Sequence, residues 1–510
     1  MSNLINLPPE LLSRIVSYVA TPPPPDPKRR DPSRHEGQHV SDGPTFAGLS
    51  YSNIPLATSP APDTASLRSL RLVTKIFEEL TAAMIFAVVR VLPTEISAER
   101  YTKLLEAKRL NGYVKKVVFQ TRLQPDARLY DWTDAKMPPG DDYHKPKPFF
   151  LTAMQQAAGF QNLTHAELVF VTTCGASLYA EPEGISFRFE VLSAFYKGLV
   201  HATKVFNLSI KNLQNMTPKA LMGKGVTPQE VAFKRDFDGV MNRITQLGLG
   251  ITTQDNFAAP ENTLRIPQVH DFFGYELGEY WLQPFAAQLE YLKIYGNREV
   301  YWGFYPAGNL PHFPALRTLI LGDYSFTSEK QVEWILSHAD TLEELILDDA
   351  MIGVAVTIGE SYADIPSRTV VYEKDYSTDP PGYQPKWRGR GLKSQVWMDP
   401  TRWHHLFAHF AKGLPKLKHF AFNHSLWDSH AYEHADALCS AVRIERYGAF
   451  DESNWHEFDG YDAEDFDWTD WRDWREEGDE VIRIQVEEPG CEEEDWQALN
   501  EFLAELKGRR

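Results

Sequence analysis

The chain has little cysteine. Cys174, Cys439 and Cys491 lie far apart in 510 residues, and their number is odd. No Cys-x-x-Cys pair occurs, so neither a disulfide framework nor a cysteine-rich zinc site is expected, and the usage suits a reducing compartment. Long apolar runs are also missing. No stretch approaches the roughly 18 residues that crossing a membrane takes. No basic region leads into an apolar core at the start, so no signal peptide is expected. A cytoplasmic or nuclear location follows as the expectation; Lys28-Arg29-Arg30 is too short a basic run to choose between them. Phosphate-cradling loops are absent, as are the dinucleotide fingerprint and the Gly-x-Ser-x-Gly elbow. Positive charge is in deficit: 52 Lys and Arg face 70 Asp and Glu, a net charge of −18. Such a chain repels phosphate and is a poor general nucleic-acid binder.

What is present begins with two apolar segments. In Leu4–Val19, Pro8 and Pro9 suit the first turn of a helix, Glu10 favours its dipole, and Leu11, Leu12, Ile15, Val16 and Val19 recur at helical spacing. Taken alone, this segment also fits an ordinary core helix. The second segment carries Leu67, Leu70, Val73, Ile76, Phe77 and Leu80 at helical spacing, then an apolar run from Met84 to Leu92. A helix of about 13 residues is marginal alone, so both segments need a docking surface.

Together they resemble an F-box. Leu7-Pro8-Pro9-Glu10-Leu11-Leu12 with Ile15 is similar to the family's first motif. Leu67, Leu70-Arg71, Val73, Lys75 and Phe77 are similar to its second, and Phe86 and Val91 match the apolar tail of fungal members. The resemblance covers roughly residues 1–92, with a Pro-, Ser- and Gly-rich insert, read as disordered, at about 20–63. It implies binding to the Skp1 adaptor, and through it to a cullin. Leu7, Pro8, Leu11, Leu12, Ile15, Leu70, Val73 and Phe77 are the positions matching the adaptor-facing motif.

Beyond residue 92 a short unit recurs: apolar, two variable, apolar, one variable, apolar. It starts at Val114, Leu163, Ile244, Leu289, Leu316, Leu342 and Leu417, with a looser copy at Val205–Ile210. Its end alternates as a half-buried strand does. Helical patterns at 149–158, 191–202, 275–288, 329–339 and 402–412 lie between. The units at Leu289, Leu316 and Leu342 are 27 and 26 residues apart, and elsewhere the gaps are longer. The expected fold class is therefore α/β: a small helical N-terminal F-box followed by an irregular α/β leucine-rich-repeat-like solenoid over 93–450. A doubly wound sheet would also alternate strand and helix, but no Gly-rich loop follows any strand.

The array is interrupted by a long loop at about 350–398, rich in Pro, Gly, Trp and Arg. The acidic, aromatic stretch 451–510 is read as a C-terminal cap over the last repeat, its Trp468, Trp471 and Trp474 on one helix side; a mobile arm is the alternative. Val481–Val486 alternates like a strand, and 492–506 reads as a closing helix.

One motif suggests chemistry. His430, Glu433 and His434 match the inverted zinc-protease pattern, but five residues are a weak match in a chain with 16 His. No catalytic residue, metal site or cofactor is assigned, and a zinc metallopeptidase is kept only as the least favoured reading. Recognition remains. Lys293, Tyr295, Tyr324, Asp348, His419 and Asn423, on strands or the turns after them, are the candidates for holding a protein target. The expected function is a non-catalytic receptor subunit of a Skp1–cullin–F-box ubiquitin ligase, with no nucleic-acid or membrane partner. A scaffold acting outside a ligase is the alternative.

Overall fold

Each of the eight apolar units becomes a strand. The computed structural model describes Leu12 and Val16 and residues 64–73, 75–123, 145–172, 174, 183–223, 227–253, 271–296, 302, 310–327, 329–358, 395–398, 401–423, 440, 442, 446–450, 455–457 and 489–509. The strands are β1 Val88–Val91, β2 Lys116–Gln120, β3 His165–Val169, β4 Asn207–Gln214, β5 Gln246–Thr252, β6 Tyr291–Tyr295, β7 Thr318–Gly322, β8 Ser325–Phe326, β9 Glu344–Asp348, β10 Met351–Ile358, β11 Gln395–Met398, β12 His419–Asn423, β13 Tyr447–Phe450 and β14 Trp455–Glu457. The α-helices are α1 Thr64–Arg71, α2 Lys75–Ile85, α3 Glu95–Glu106, α4 Lys108–Asn111, α5 Pro148–Gln155, α6 Ile185–Leu199, α7 Pro228–Met241, α8 Glu329–Leu336, α9 Trp403–Gly413 and α10 Glu492–Arg509. Phe272–Leu282 winds as a wider π-helix.

The chain is mixed α/β around a nine-stranded parallel sheet in the order β1-β2-β3-β4-β5-β6-β7-β9-β12. Spatial order in this sheet follows chain order, and β8, β10, β11, β13 and β14 join a second sheet. The reversal of a doubly wound sheet does not occur. The sheet begins at Val88, inside the stretch that the sequence assigns to the first unit.

Register explains the repeating unit. Leu292, Leu319, Leu345 and Phe420 lie in one row across β6, β7, β9 and β12, and Ile294, Leu321, Leu347 and Phe422 form the next. All belong to the main core with the helices. The first apolar residue of each unit, from Val114 to Leu417, precedes its strand and is 1% exposed or less. It closes the core beneath the helix-to-strand turn. Aromatic rings link one layer to the next: Phe119 meets Phe195 at 6.2 Å, Tyr196 meets Phe237 at 4.9 Å, and Phe237 meets Trp281 at 5.6 Å.

Helix length accounts for part of the uneven spacing. Widely spaced repeats carry α6 and α7, of 15 and 14 residues, whereas the close repeats carry α8, of 8. Helix α7 is fixed by a reciprocal capping box. Thr227 Oγ1 accepts from Glu230 N, and Glu230 Oε2 accepts from Thr227 N at 2.7 Å. Thr-Pro-x-Glu is a readable start signal.

One expectation is corrected. The interruption at about 350–398 is not loop throughout. Its ends form β10 and β11, paired antiparallel, and β10 also pairs in parallel with β8 and β13. Met351-Ile352-Gly353-Val354-Ala355-Val356 is an apolar, β-branched run, and the Pro and Gly signals downstream do not reach it. The C-terminal cap over the last strand is α10, whose Phe502 ring sits 4.9 Å from Phe420. Trp455–Glu457 is a strand. Residues 20–63, 468–475 and 481–486 lie outside the described residues.

Gly198 is where α6 crosses α5. A Cβ there would lie 2.0 Å from the Met154 carbonyl oxygen and 2.8 Å from its carbon. Backbone cannot swing aside as a side-chain tip can. Gly198→Ala is expected to lower stability by about 1–3 kcal/mol or more, as overpacking does. Urea unfolding measures it, and an unchanged midpoint would contradict this account of the crossing.

Candidate functional site

The two N-terminal segments meet. Leu12 and Val16 are helical and pack with Leu67 and Phe77 in a small core separate from the main one, ringed by Leu70, Leu80, Met84 and Ile85. The second segment is not one helix. It breaks after Arg71, where Leu72 N and Val73 N bond back to the carbonyls of Ser69 and Leu70. The break turns apolar side chains outward: Leu72 is 87% exposed, Val73 56% and Ile76 40%. The turn is tied to the body through Glu78, which lies 3.5 Å from Arg71 and 3.8 Å from Arg109 on α4.

The matched positions therefore divide. Leu12 and Phe77 are buried and hold the small core together; Leu70 is half-buried; Val73 stands in solvent. Leu7, Pro8, Leu11 and Ile15 lie outside the described residues. Leu72 was not singled out from the sequence. Its spacing of four from Ile76 is the signal that would have found it.

The target candidates also divide. Lys293, Tyr295, Asp348, His419 and Asn423 share the sheet face opposite the helices, as alternation from the core rows requires. Tyr324 does not. Asp323, in a left-handed conformation with φ 52°, breaks the alternation after β7. Tyr324 turns into the main core against Trp302 at 4.7 Å and Phe326 at 5.0 Å, and it is 1% exposed. It cannot touch a partner there.

The C-terminal half of this face is tightly tied. The Tyr295 ring lies over Gly322, and its hydroxyl donates to Asp348 Oδ2 at 2.5 Å. Burial, and then the Asp348 carboxylate, push the phenol's pKa well above its usual value. The Lys293 ammonium sits 5.6 Å over the Tyr295 ring. Tyr295, Ile320, Ile346 and Ala421 form a second small core. Asn423 is buried. His419 Nδ1 lies 2.6 Å from Glu344 Oε1, a hydrogen bond that leads the causes holding the Glu344 carboxyl below its ordinary range.

Among the described residues one group could offer three metal ligands: His404, Cys491 and Asp495, with ligand atoms within 4.8 Å of one another. Its carboxylate is already engaged. Asp495 Oδ2 accepts from Arg446 Nε at 2.9 Å and Tyr447 OH at 2.8 Å, while Oδ1 accepts from His404 N at 2.9 Å and lies 2.8 Å from His404 Nδ1. A cation would have to displace a guanidinium. The Cys491 thiol is pushed up, chiefly by burial, so it is no activated nucleophile. The arrangement fastens α10 to α9 and β13. His430, Glu433 and His434 lie outside the described residues.

The chain matches no family model, and no curated protein matches it. Among the described residues no helix is long and apolar enough to cross a membrane.

The Asp495 cluster carries a pH dependence. Burial would raise the carboxyl pKa, but hydrogen bonds from Arg446, Tyr447 and His404 outweigh it and hold it below its ordinary value. A depressed folded pKa contributes stability above the unfolded value of about 3.9, and that stability is lost as pH falls through the folded value. Asp495→Asn is expected to cost about 3–5 kcal/mol at neutral pH, since it breaks a buried ion pair by removing the carboxylate that accepts from Arg446 Nε. It should also flatten the stability curve below pH ~4. Chemical denaturation across pH measures both, and parallel curves for the two proteins would refute the assignment.

Proposed function

We propose that this chain is the target-recognition subunit of a Skp1–cullin–F-box ubiquitin ligase. On this reading residues 1–92 form the F-box that docks on the adaptor, and the parallel sheet with its helices is a leucine-rich-repeat-like solenoid that holds a protein target. The chain itself makes and breaks no bonds. It raises the target's concentration near the ubiquitin-charged enzyme.

One observation carries the reading. Leu12, Val16, Leu67 and Phe77 close a small core of their own, and Leu72, Val73 and Ile76 remain on its outside. A core helix belonging to the body would have joined the main core. Burying a large aliphatic side chain is worth roughly 1.5–3 kcal/mol, so three adjacent ones on a turn form a strong contact for an apolar partner. Strand order that follows chain order supports the solenoid half, because each repeat then packs mainly on its neighbours.

Co-purification with Skp1 and a cullin tests the proposal. Val73→Asp with Ile76→Asp is expected to abolish adaptor binding while leaving the melting temperature close to that of the parent, since both side chains are already exposed. Retained binding in that double variant would sink this placement of the adaptor surface. Capture of Skp1 without any cullin would favour a scaffold acting outside a ligase.

A further inference from the structure

The open face of the first four strands carries the opposite charge to the chain as a whole. Arg90 on β1 stands opposite Val118, which stands opposite Glu167, which stands opposite Ser209. Lys116 lies two residues before Val118, and Lys211 two residues after Ser209, so both share that face. Glu167 is held between them, with Oε2 2.6 Å from Lys116 Nζ and Oε1 3.3 Å from Lys211 Nζ. Burial alone would raise its pKa, but the two ammonium groups outweigh burial and keep it ionised.

At the adjoining rim, the turns before β2, β3 and β4 are sewn together. Asn162 Nδ2 donates to Gly112 O at 2.8 Å, and Lys204 Nζ donates to Gln161 O and Asn162 Oδ1 at 2.9 and 3.0 Å. Lys115, in the first of these turns, is exposed, and its carbonyl accepts from Thr164 N and His165 N. The patch thus gathers Arg90, Lys115, Lys116, Lys204 and Lys211 around the Glu167 carboxylate. Among the described residues Arg90, Lys115 and Lys204 meet no carboxylate. His165, two residues before Glu167, feels the excess. Its pKa is lowered first by burial and then by Lys116 and Lys115.

The folded chain holds this concentration of like charge although 70 acidic residues were available to neutralise it. We propose that the face of β1 to β4 with its rim is a docking surface for an acidic segment of a partner protein. The partner's carboxylates pair with Arg90, Lys115 and Lys204. Nucleic acid is the poorer fit. The phosphates of a long nucleic acid that fall outside the patch meet the net charge of −18, whereas a segment short enough to lie within the screening length of about 8–10 Å meets mainly the local cations; a short oligonucleotide of equal charge is separated from an acidic peptide by the test below. The assignment does not depend on the adaptor reading, since no residue of the exposed apolar turn takes part.

Fluorescence anisotropy with a labelled glutamate decapeptide and the full chain tests it, alongside an oligouridylate of equal charge. The peptide is expected to bind, to weaken with added salt, and to lose about tenfold or more in affinity when Arg90→Glu, Lys115→Glu and Lys204→Glu are combined. The matching Gln variants should lose less. A control reversal at exposed Arg100, Lys197 and Lys219 changes net charge equally and should matter little. Circular dichroism and Skp1 co-purification should be unchanged throughout. The proposal is overturned by absence of binding, by an equal loss in the control, or by tighter binding of the oligouridylate.

Discussion

Everything in the body of this chain depends on parallel strands holding their register. Each strand pairs with the next so that the apolar residues of neighbouring repeats fall side by side, as Leu292, Leu319, Leu345 and Phe420 do. A one-residue slip in any strand would turn its apolar set away from the helices. The buried residue before each strand fixes that register from outside the ladder, because it must plug the core while the strand alternates. Such a sheet has two ends and must manage both. At the last strand Phe420 is covered by Phe502 of α10, and the buried Asp495 ties that helix to Arg446 and Tyr447.

Much of this was legible because the repeating unit encodes the register locally. The pattern starting at Leu289, Leu316 and Leu342 marks the strand and its inward side chains. Other features failed for identifiable reasons. The start of α7 is encoded in the capping box of Thr227, Pro228 and Glu230, a signal that an apolar period does not carry. Met351–Ile358 is masked in the sequence by the Pro and Gly residues beyond it, which dominate a broad window. Tyr324 faces inward although the turns after strands are expected to be surface. The left-handed Asp323 resets the alternation of β7, and Asp349 takes the same conformation one repeat later.

The sites show the same limit. Sequence could put Tyr295 and Asp348 on the face away from the helices, but their hydrogen bond crosses β7 and exists only once three strands are aligned. The Lys116–Glu167–Lys211 group likewise joins residues far apart in the chain. The apolar turn at Leu72 and Val73 was hidden differently: the helical period ran through it, and only the break between α1 and α2 makes those side chains external. Cross-strand chemistry and helix breaks are properties of the assembled backbone. A periodic reading captures which residues are apolar better than what each one finally faces.

The two halves of the open face are physically unlike, and that difference bears on how such a surface can discriminate. Around Tyr295, Ile320 and Asp348 the side chains are buried and mutually bonded, so any partner approaching there must first disrupt contacts already made. Around Arg90, Lys115 and Lys204 the charges remain hydrated and carry no acidic partner among the described residues. Forming an ion pair there requires little rearrangement of the protein. Coulomb attraction at such sites acts at a distance and favours encounter, but each exposed pair is worth only about 0–1 kcal/mol. Selectivity must then come from several pairs engaging together. The backbone fixes that condition, because β1 and the turns before β2 and β4 hold these cations at set places along one sheet.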